Sequence, residues 1–378
     1  VLHRLRMVVV LGLLSLIAGL ATGRTLFYHL AYLFATLILL TFLWAWSGVS
    51  WVHIKRQTRA RRAQVGRPLE ERFAVRNAGI VPKLWLEVRD YSTLPAHFSS
   101  RVINNLGLKA DYSWRTTTIC RRRGRYQLGP IQLRTSDPFG FFPMSRDLTQ
   151  TSNVVVYPMT FDIHSFTLPI GVLSGGDALR RRTHYVTTNA AGVRDYVPGD
   201  SFGRIHWPST ARRSRIIVKE FELDPLADIW IVPDMAMYSH VSAVSSEERL
   251  PDDLPEWMVM EQFKLEETTE EYTVTVAASL AQYFLRQDRA VGMLAYGQSN
   301  EILQADRGER QLNRILETLA VLRAEGEVPI SNVLQAEMHF FPRGTTVICV
   351  TPQTDHTWAT TAKQLQRRGL RVITVLIN

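Results

Sequence analysis

The chain has 378 residues, 46% of them apolar and 21% charged, enough for two compact domains plus an anchor and too much apolar material for wholesale disorder. Two cysteines, Cys120 and Cys349, exclude a disulfide framework and a four-cysteine zinc site. The formal net charge of +9 points to an anionic surface nearby, either lipid head groups or nucleic acid.

Residues 1–50 read as a transmembrane hairpin. Met7–Thr22 carries no charged side chain, and after Gly23-Arg24-Thr25 a second uncharged run extends from Leu26 to Trp46. At ~1.5 Å per residue the second run crosses the roughly 30 Å hydrocarbon layer, and the first does so with help from its flanks. Trp44, Trp46 and Trp51 cluster at one end like an aromatic belt. His3, Arg4 and Arg6 precede the first run, and Lys55, Arg56, Arg59, Arg61, Arg62 and Arg67 follow the second, while the connecting turn holds only Arg24. The positive-inside rule then places both termini and everything after residue 50 in the cytoplasm, at the inner membrane. Residues 51–67 are expected to be a basic juxtamembrane linker, with Lys55, Arg56, Arg59, Arg61 and Arg62 against anionic lipid.

Residues 68–158 change to short alternating segments, suggesting a β-sandwich or partial barrel. Candidate strands are Glu71–Val75, Lys83–Val88, Ser113–Cys120 and Asn153–Tyr157, with a turn at Asn77-Ala78-Gly79. Arg121-Arg122-Arg123-Gly124-Arg125-Tyr126 reads either as an anion or partner contact or as a solvated hairpin edge guarded by charge. In Ser136-Asp137-Pro138-Phe139-Gly140, Asp137 is placed to cap a turn whose φ Pro138 fixes.

Residues 159–226 form a basic linker, with Gly175-Gly176 and Arg180-Arg181-Arg182. It contains the most specific phrase of the chain: Arg194-Asp195-Tyr196-Val197-Pro198-Gly199-Asp200, then Arg204-Ile205-His206-Trp207, Ser209-Thr210-Ala211-Arg212 and Val218-Lys219-Glu220. Val197–Asp200 predicts a tight turn, Asp200 a cap for a short helix over Arg204–Ala211, and Ile216–Phe221 a strand. Arg194, Asp195, Asp200, Arg204 and Arg212 are candidates for a charge network. A catalytic reading pairs His206 with Asp195 or Asp200, but no nucleophile or metal-ligand spacing accompanies them.

The phrase, together with Arg121–Tyr126, Leu128-Gly129-Pro130 and Asp137–Gly140, resembles the bacterial domain of unknown function 58 family along the whole chain. The resemblance implies a two-span anchor, a β-rich segment, the Arg-Tyr-Pro-Gly-Asp phrase with its Trp, and a C-terminal von Willebrand factor A-like domain. It also implies a MoxR-type AAA+ ATPase as partner. The family-motif positions are Arg194, Tyr196, Pro198, Gly199, Asp200, Arg204, His206, Trp207, Ala211 and Arg212, with a structural or partner-binding role. Two departures stand out: Asn189–Gly192 lacks the aromatic usual before Arg194, and His206 stands where an acid is common.

Residues 227–378 alternate strand and helix patterns. Ile229–Asp234, Ala290–Tyr296, Thr346–Val350 and Leu370–Ile377 read as strands, and Tyr272–Arg286, Gln311–Arg323 and Thr357–Arg368 as helices. The pattern predicts a doubly wound α/β domain, whose ligands bind at the carboxyl ends of the strands. A von Willebrand A domain holds magnesium there with Asp-x-Ser-x-Ser, because a hard cation takes oxygen ligands. Here Asp234, Ala236 and Tyr238 occupy those positions, and Thr351-Pro352-Gln353 lacks the second carboxylate, so the site reads as degenerate with no metal. No glycine-rich phosphate loop stands at any strand end. An insert over 246–271, with ten acids and two bases around Trp257, Met258, Met260 and Phe263, suits either a partner-binding segment or a solvated excursion.

The expectation is therefore a non-enzymatic, membrane-anchored adaptor without cofactor. The alternatives are a binder of anionic polymer, lipid or nucleic acid through Arg180–Arg182 and Arg212–Arg215, and a hydrolase using Asp200 and His206 with Ser209 or Thr210. The acidic insert weighs against nucleic acid.

Overall fold

A computed structural model describes residues 2–166, 190–197, 205–221, 228–242, 265–354 and 357–377. The chain divides into two compact units, one comprising 1–159, 245–266 and 319–321, the other 160–244, 267–318 and 322–378. Each is described by itself.

The first unit opens with α1 (Leu2–Thr22) and α2 (Thr25–Val49), both long and apolar enough to cross a membrane. Gly23, at φ +65°, makes the break between them without strain. Gly12 lies against Phe34 and Gly19 against Phe27, which fixes an antiparallel register. Most of the hairpin's apolar side chains are exposed, an arrangement compatible with a membrane anchor.

Ten strands follow: β1 (Val52–Thr58), β2 (Arg62–Gln64), β3 (Pro68–Asn77), β4 (Lys83–Asp90), β5 (Arg101–Leu106), β6 (Asp111–Ile119), β7 (Gly124–Leu128), β8 (Ile131–Thr135), β9 (Met144–Leu148) and β10 (Ser152–Tyr157). They form sheets in the orders β1-β3-β6, β2-β10-β7 and β5-β4-β8-β9. Alternation along each strand buries one face. Val52, Phe73, Val75 and Trp114 of the first sheet share a core with Leu86, Val88, Ile103, Ile131 and Leu133 of the third. Val65, Leu69, Cys120, Leu128, Val154 and Val156 form a second core.

The basic linker expected over 51–67 is replaced by β1 and β2. β1 pairs antiparallel with β3 over its whole length, so the sheet module begins at Val52, three residues beyond α2. The last turns of α2 belong to the same packing. Thr41, Ala45, Ser47 and Gly48 are buried, Phe42 makes an edge contact with Phe142, and the buried Lys83 ammonium donates to the Ser47 carbonyl.

In the second unit, β11 (Ala190–Asp195) pairs antiparallel with β12 (Ile217–Phe221), and α3 (Trp207–Arg213) precedes β12. A five-stranded sheet then takes the order β15-β14-β13-β16-β17, from β13 (Ile229–Pro233), β14 (Val291–Tyr296), β15 (Asn300–Asp306), β16 (Thr346–Thr351) and β17 (Arg371–Leu376). β13 is parallel to β14 and β16, and β16 to β17, while β15 runs antiparallel at the edge. The near-continuous apolar strands are those of a sheet buried on both faces. The helices are α4 (Thr269–Arg286), α5 (Gly308–Val321), α6 (Ile330–Ala336) and α7 (Thr357–Arg367). Trp230, Val232, Val347 and Cys349 pack with Val333 and Leu334 of α6 and Leu365 of α7. Gly292, opposite Trp230 in the ladder, leaves room for the indole, since a Cβ there would meet the ring at 2.9 Å.

Candidate functional site

Strands on both sides of β13 leave it in opposite directions along the sheet, so the chain's switch point lies at the carboxyl ends of β13 and β16. Asp234 follows β13 there and is buried. One of its carboxylate oxygens accepts from the Ala236 backbone N–H (3.1 Å) and the other from the Thr351 hydroxyl (2.6 Å). Its own N–H donates to the Val350 carbonyl, and its carbonyl oxygen lies 2.8 Å from His240 Nε2. Asp234 therefore knots two strand ends together, the capping role open to a short acid.

The donor set does not suit a hard cation. Ala236 has no ligand atom, and it is fully buried, bridged to Gly326. Tyr238 is 55% exposed, and burial of its hydroxyl followed by the Asp234 charge pushes the phenol above its ordinary value, away from a phenolate ligand. Among the described residues no group of three or more His, Cys, Asp or Glu is placed to hold a metal. Cys349, beneath the site, is pushed up to about 12 by burial and then by Asp234, so its thiol stays protonated. Around this rim Met237 and Tyr238, on a one-turn 3-10 helix, and Val241 just beyond it are exposed.

The phrase at 194–222 is described in part. Pro198, Gly199, Asp200 and Arg204 lie outside the described residues, as do Gly175-Gly176, Arg180–Arg182 and the insert from 246 to 264. Arg194 lies on β11 opposite Val218. Asp195 pairs with Arg215 at 3.0 Å, a partner the sequence reading did not single out. Tyr196 N–H donates to the Ile216 carbonyl. The short helix runs over Trp207–Arg213 rather than from Arg204. His206 precedes it, with Nδ1 2.7 Å from the Ser209 hydroxyl. Thr210 Oγ1 accepts from Ile217 N–H, while Trp207, Ala211 and Arg212 face solvent. The remnant of the acidic insert, 265–271, leads into α4. Thr268 caps the helix by accepting from Glu271 N–H, and Glu270 and Glu271 stand in the first turn, where the helix dipole favours acids.

The expected lipid-facing bases separate into two classes. Lys55, Arg59, Arg61 and Arg62 are exposed, but Arg56 points inward with a side chain only 10% exposed. It donates bidentately to Glu71 (2.8 Å twice) and to Asp90 (3.2 Å) and Ser92 (3.1 Å). His97 Nε2 lies 3.0 Å from Asp90 and 3.2 Å from Glu71. Burial pushes the Asp90 carboxyl up, but hydrogen bonds from His97 and Ser99, the Arg56 charge and Ser92 outweigh it and hold the group well below the usual carboxylate range. On the outer face of β1-β3-β6, His53, Lys55, Arg72, Arg76 and Lys109 surround a shallow basin of about 800 Å³ floored by Ala74, Ala78 and Ser113, with Asp111 as its acid. Arg123, expected either at a contact or on a solvated edge, is wholly buried and donates to the Leu319 carbonyl at 3.1 Å.

A family model described as "Protein of unknown function DUF58" matches residues 192–250. A curated relative, "Uncharacterized protein YeaD" of Bacillus subtilis (strain 168), is 24% identical over 220 residues. That alignment takes in 57% of this chain and 47% of YeaD, so the chain spans about half the length of the curated relative it matches. The two matches support the DUF58 family. Among solved structures, the CARDB domain of Pyrococcus furiosus PF1109 is similar at 18% identity and TM-score 0.21, covering 28% of this chain and 91% of that domain. Red sea bream transglutaminase is similar at 15% identity and TM-score 0.19, covering 28% and 15%.

Proposed function

We propose that this chain is a membrane-anchored adaptor of the DUF58 family that works by protein contact, without catalysis. In this reading α1 and α2 cross the inner membrane, both termini and the two units lie in the cytoplasm, and a MoxR-type AAA+ ATPase is the partner. The second unit is read as a doubly wound, von Willebrand A-like domain, supported by its strand order and antiparallel edge strand β15. The observation that carries the proposal is the closed state of Asp234. Its two oxygens are engaged internally and Ala236 offers no ligand atom, while Met237, Tyr238 and Val241 stand exposed on that rim. Exposed aromatic and methionine side chains suit a protein interface.

The test is capture of partners by the full chain in detergent micelles, with magnesium present and with it chelated, the ATPase nucleotide state held constant. Magnesium-independent capture of an AAA+ ATPase, lost in Tyr238→Asp, is the expected result. Capture abolished by chelation and by Asp234→Ala overturns the metal-free reading. A second reading, an anionic-surface binder, rests on the basic basin at Lys55, Arg72 and Arg76. It predicts binding of acidic vesicles or polymers that weakens steeply with salt.

A further inference from the structure

The loop between β8 and β9 has no task in the adaptor reading, yet its conformation is fixed from within. Asp137 is buried, and its two carboxylate oxygens accept from the backbone N–H groups of Phe139 (3.0 Å) and Phe142 (2.7 Å). Gly140 closes the turn at φ +74°, donating to the Asp137 carbonyl. A loop fixed in this way presents its side chains without an ordering cost. What it presents is Phe139, 52% exposed and stacked on the buried Phe141 at 5.5 Å. A large apolar side chain held out by a buried acid is an arrangement that favours an apolar partner over water.

The hairpin register sets the height of this loop. Since Gly12 meets Phe34 and Gly19 meets Phe27, Arg4 of α1 stands level with Phe42 of α2. Phe42 is 17 residues along α2 from Thr25, about 26 Å at ~1.5 Å per residue, close to the thickness of a hydrocarbon layer. Arg4 and Phe42 thus lie at the charged margin of the span, where Arg6 also stands. The loop touches both: Phe142 makes a T-shaped contact with Phe42 at 5.5 Å, and the Arg4 guanidinium lies 4.0 Å from where a Cβ on Gly140 would stand. One turn further out, Trp46 and Trp51 make an edge contact at 5.3 Å, both about half exposed, and Trp51 abuts Gly79 beside the 78% exposed Ile80.

We infer that the Asp137–Phe142 loop inserts Phe139 into the interfacial zone of the lipid bilayer, completing an apolar collar with Trp46, Trp51 and Ile80 around the emerging end of α2. The occupant is lipid because the collar is continuous with the exposed apolar surface of α2 and the Phe139 loop lies at the level of Arg4, in the charged margin that precedes the apolar run of α1. Trp46 and Trp51 are residues of the kind such interfaces select. The inference rests on the reading of α1 and α2 as membrane spans.

The test uses the full chain reconstituted in vesicles of phosphatidylcholine and phosphatidylglycerol. Nitroxide labels are placed singly by Phe139→Cys, by Leu39→Cys in the exposed face of α2, and by Glu309→Cys as a water-exposed reference. The buried Cys120 and Cys349 are controlled by the unsubstituted chain. Relaxation by oxygen, which partitions into lipid, is compared with relaxation by a water-soluble nickel chelate. The expected result is nickel protection at both 39 and 139, with free collision at 309. A label at 139 as open to nickel as the one at 309, with 39 protected, overturns the loop inference and leaves the spans standing. Nickel access at both 39 and 139 overturns the spans and the inference with them. Ile80→Cys gives a second position of the collar, so that a folding defect at 139 does not decide the matter: nickel protection there supports the collar, and free access with 39 protected overturns it.

Discussion

Arg56→Met tests whether the interior of the sheet module is held by charge. The side chain is 10% exposed and sits between Glu71 and Asp90, whose side chains are 0% and 2% exposed. Methionine keeps much of the volume over Phe73, where the guanidinium lies 5.1 Å from the ring centroid, but leaves two buried carboxylates facing each other's charge. Breaking a buried ion cluster by removing one partner costs about 3–5 kcal/mol, chiefly for the stranded charges. The pH dependence carries a sign. In the native chain Asp90 is held below its ordinary value, so its contribution is complete above the unfolded value of roughly 4 and is lost only as pH falls through the folded one. In Arg56→Met the Arg56 charge that helps to lower Asp90 is gone while burial still pushes its pKa up, so the folded state takes up protons at a higher pH than the native chain does. The deficit is then largest at neutral pH and shrinks as the pH falls. Cys120 is the local reporter: it is fully buried in the same module, so its alkylation, mapped by mass spectrometry, requires the module to open. Faster alkylation at pH 7.5, together with urea midpoints that recover in acid, is the expected pair of results. A loss under about 1 kcal/mol that does not vary with pH refutes the reasoning.

Asp234→Ala strands the Thr351 hydroxyl and the Ala236 N–H and is expected to cost about 1–3 kcal/mol in thermal melts. Millimolar magnesium should leave the melting temperature of the native chain unchanged, and a ligand-type increase would reopen the metal site. Gly326→Ala drives a Cβ to 2.3 Å from the Tyr296 carbonyl oxygen and 2.9 Å from that of Met235, so about 1–3 kcal/mol of destabilisation is expected, read from the same melts. Native Cys120 and Cys349, pushed up to about 11 and about 12, burial being the main cause, should resist iodoacetamide at pH 8 and react fully in denaturant. Reaction of either thiol in the folded chain at the rate of a free cysteine would contradict their burial.

Much of the secondary structure was legible because apolar periodicity reports burial directly. Ile229–Val232 is apolar throughout and forms the central strand, and Glu71–Val75 alternates as β3 does. β1 was not legible, for a physical reason. Its inward position 56 is an arginine, and a charge on the buried face erases the alternation that marks a strand. Its partners Glu71 and Asp90 lie 15 and 34 residues away, beyond any local pattern. Arg123 misled in the same way: a run of arginines reads as solvated, yet one of them is wholly buried. The basic basin was hidden too, because Lys55, Arg72, Arg76 and Lys109 converge only once β1, β3 and β6 are in register. At the sheet's carboxyl end the sequence pointed to Asp234 and its missing hydroxyl neighbours. Thr351 as the residue that occupies the carboxylate emerged only from the fold.

The join between α2 and the sheets also decides how the module can move. With Ser47 held by Lys83, Gly48 against Thr135 and β1 starting at Val52, there is no slack between helix and strand. A flexible tether would let a domain sweep a hemisphere whose radius grows as the square root of linker length. A splice of this kind instead makes α2 a stalk, and tilting the helix tilts the module with it. In the membrane-anchored reading proposed above, a partner of the first unit meets it at a set height, confined to a thin slab of the volume a tethered domain would explore. Encounter in that reading is governed by lateral diffusion and orientation in the plane, and local concentration is raised by the confinement.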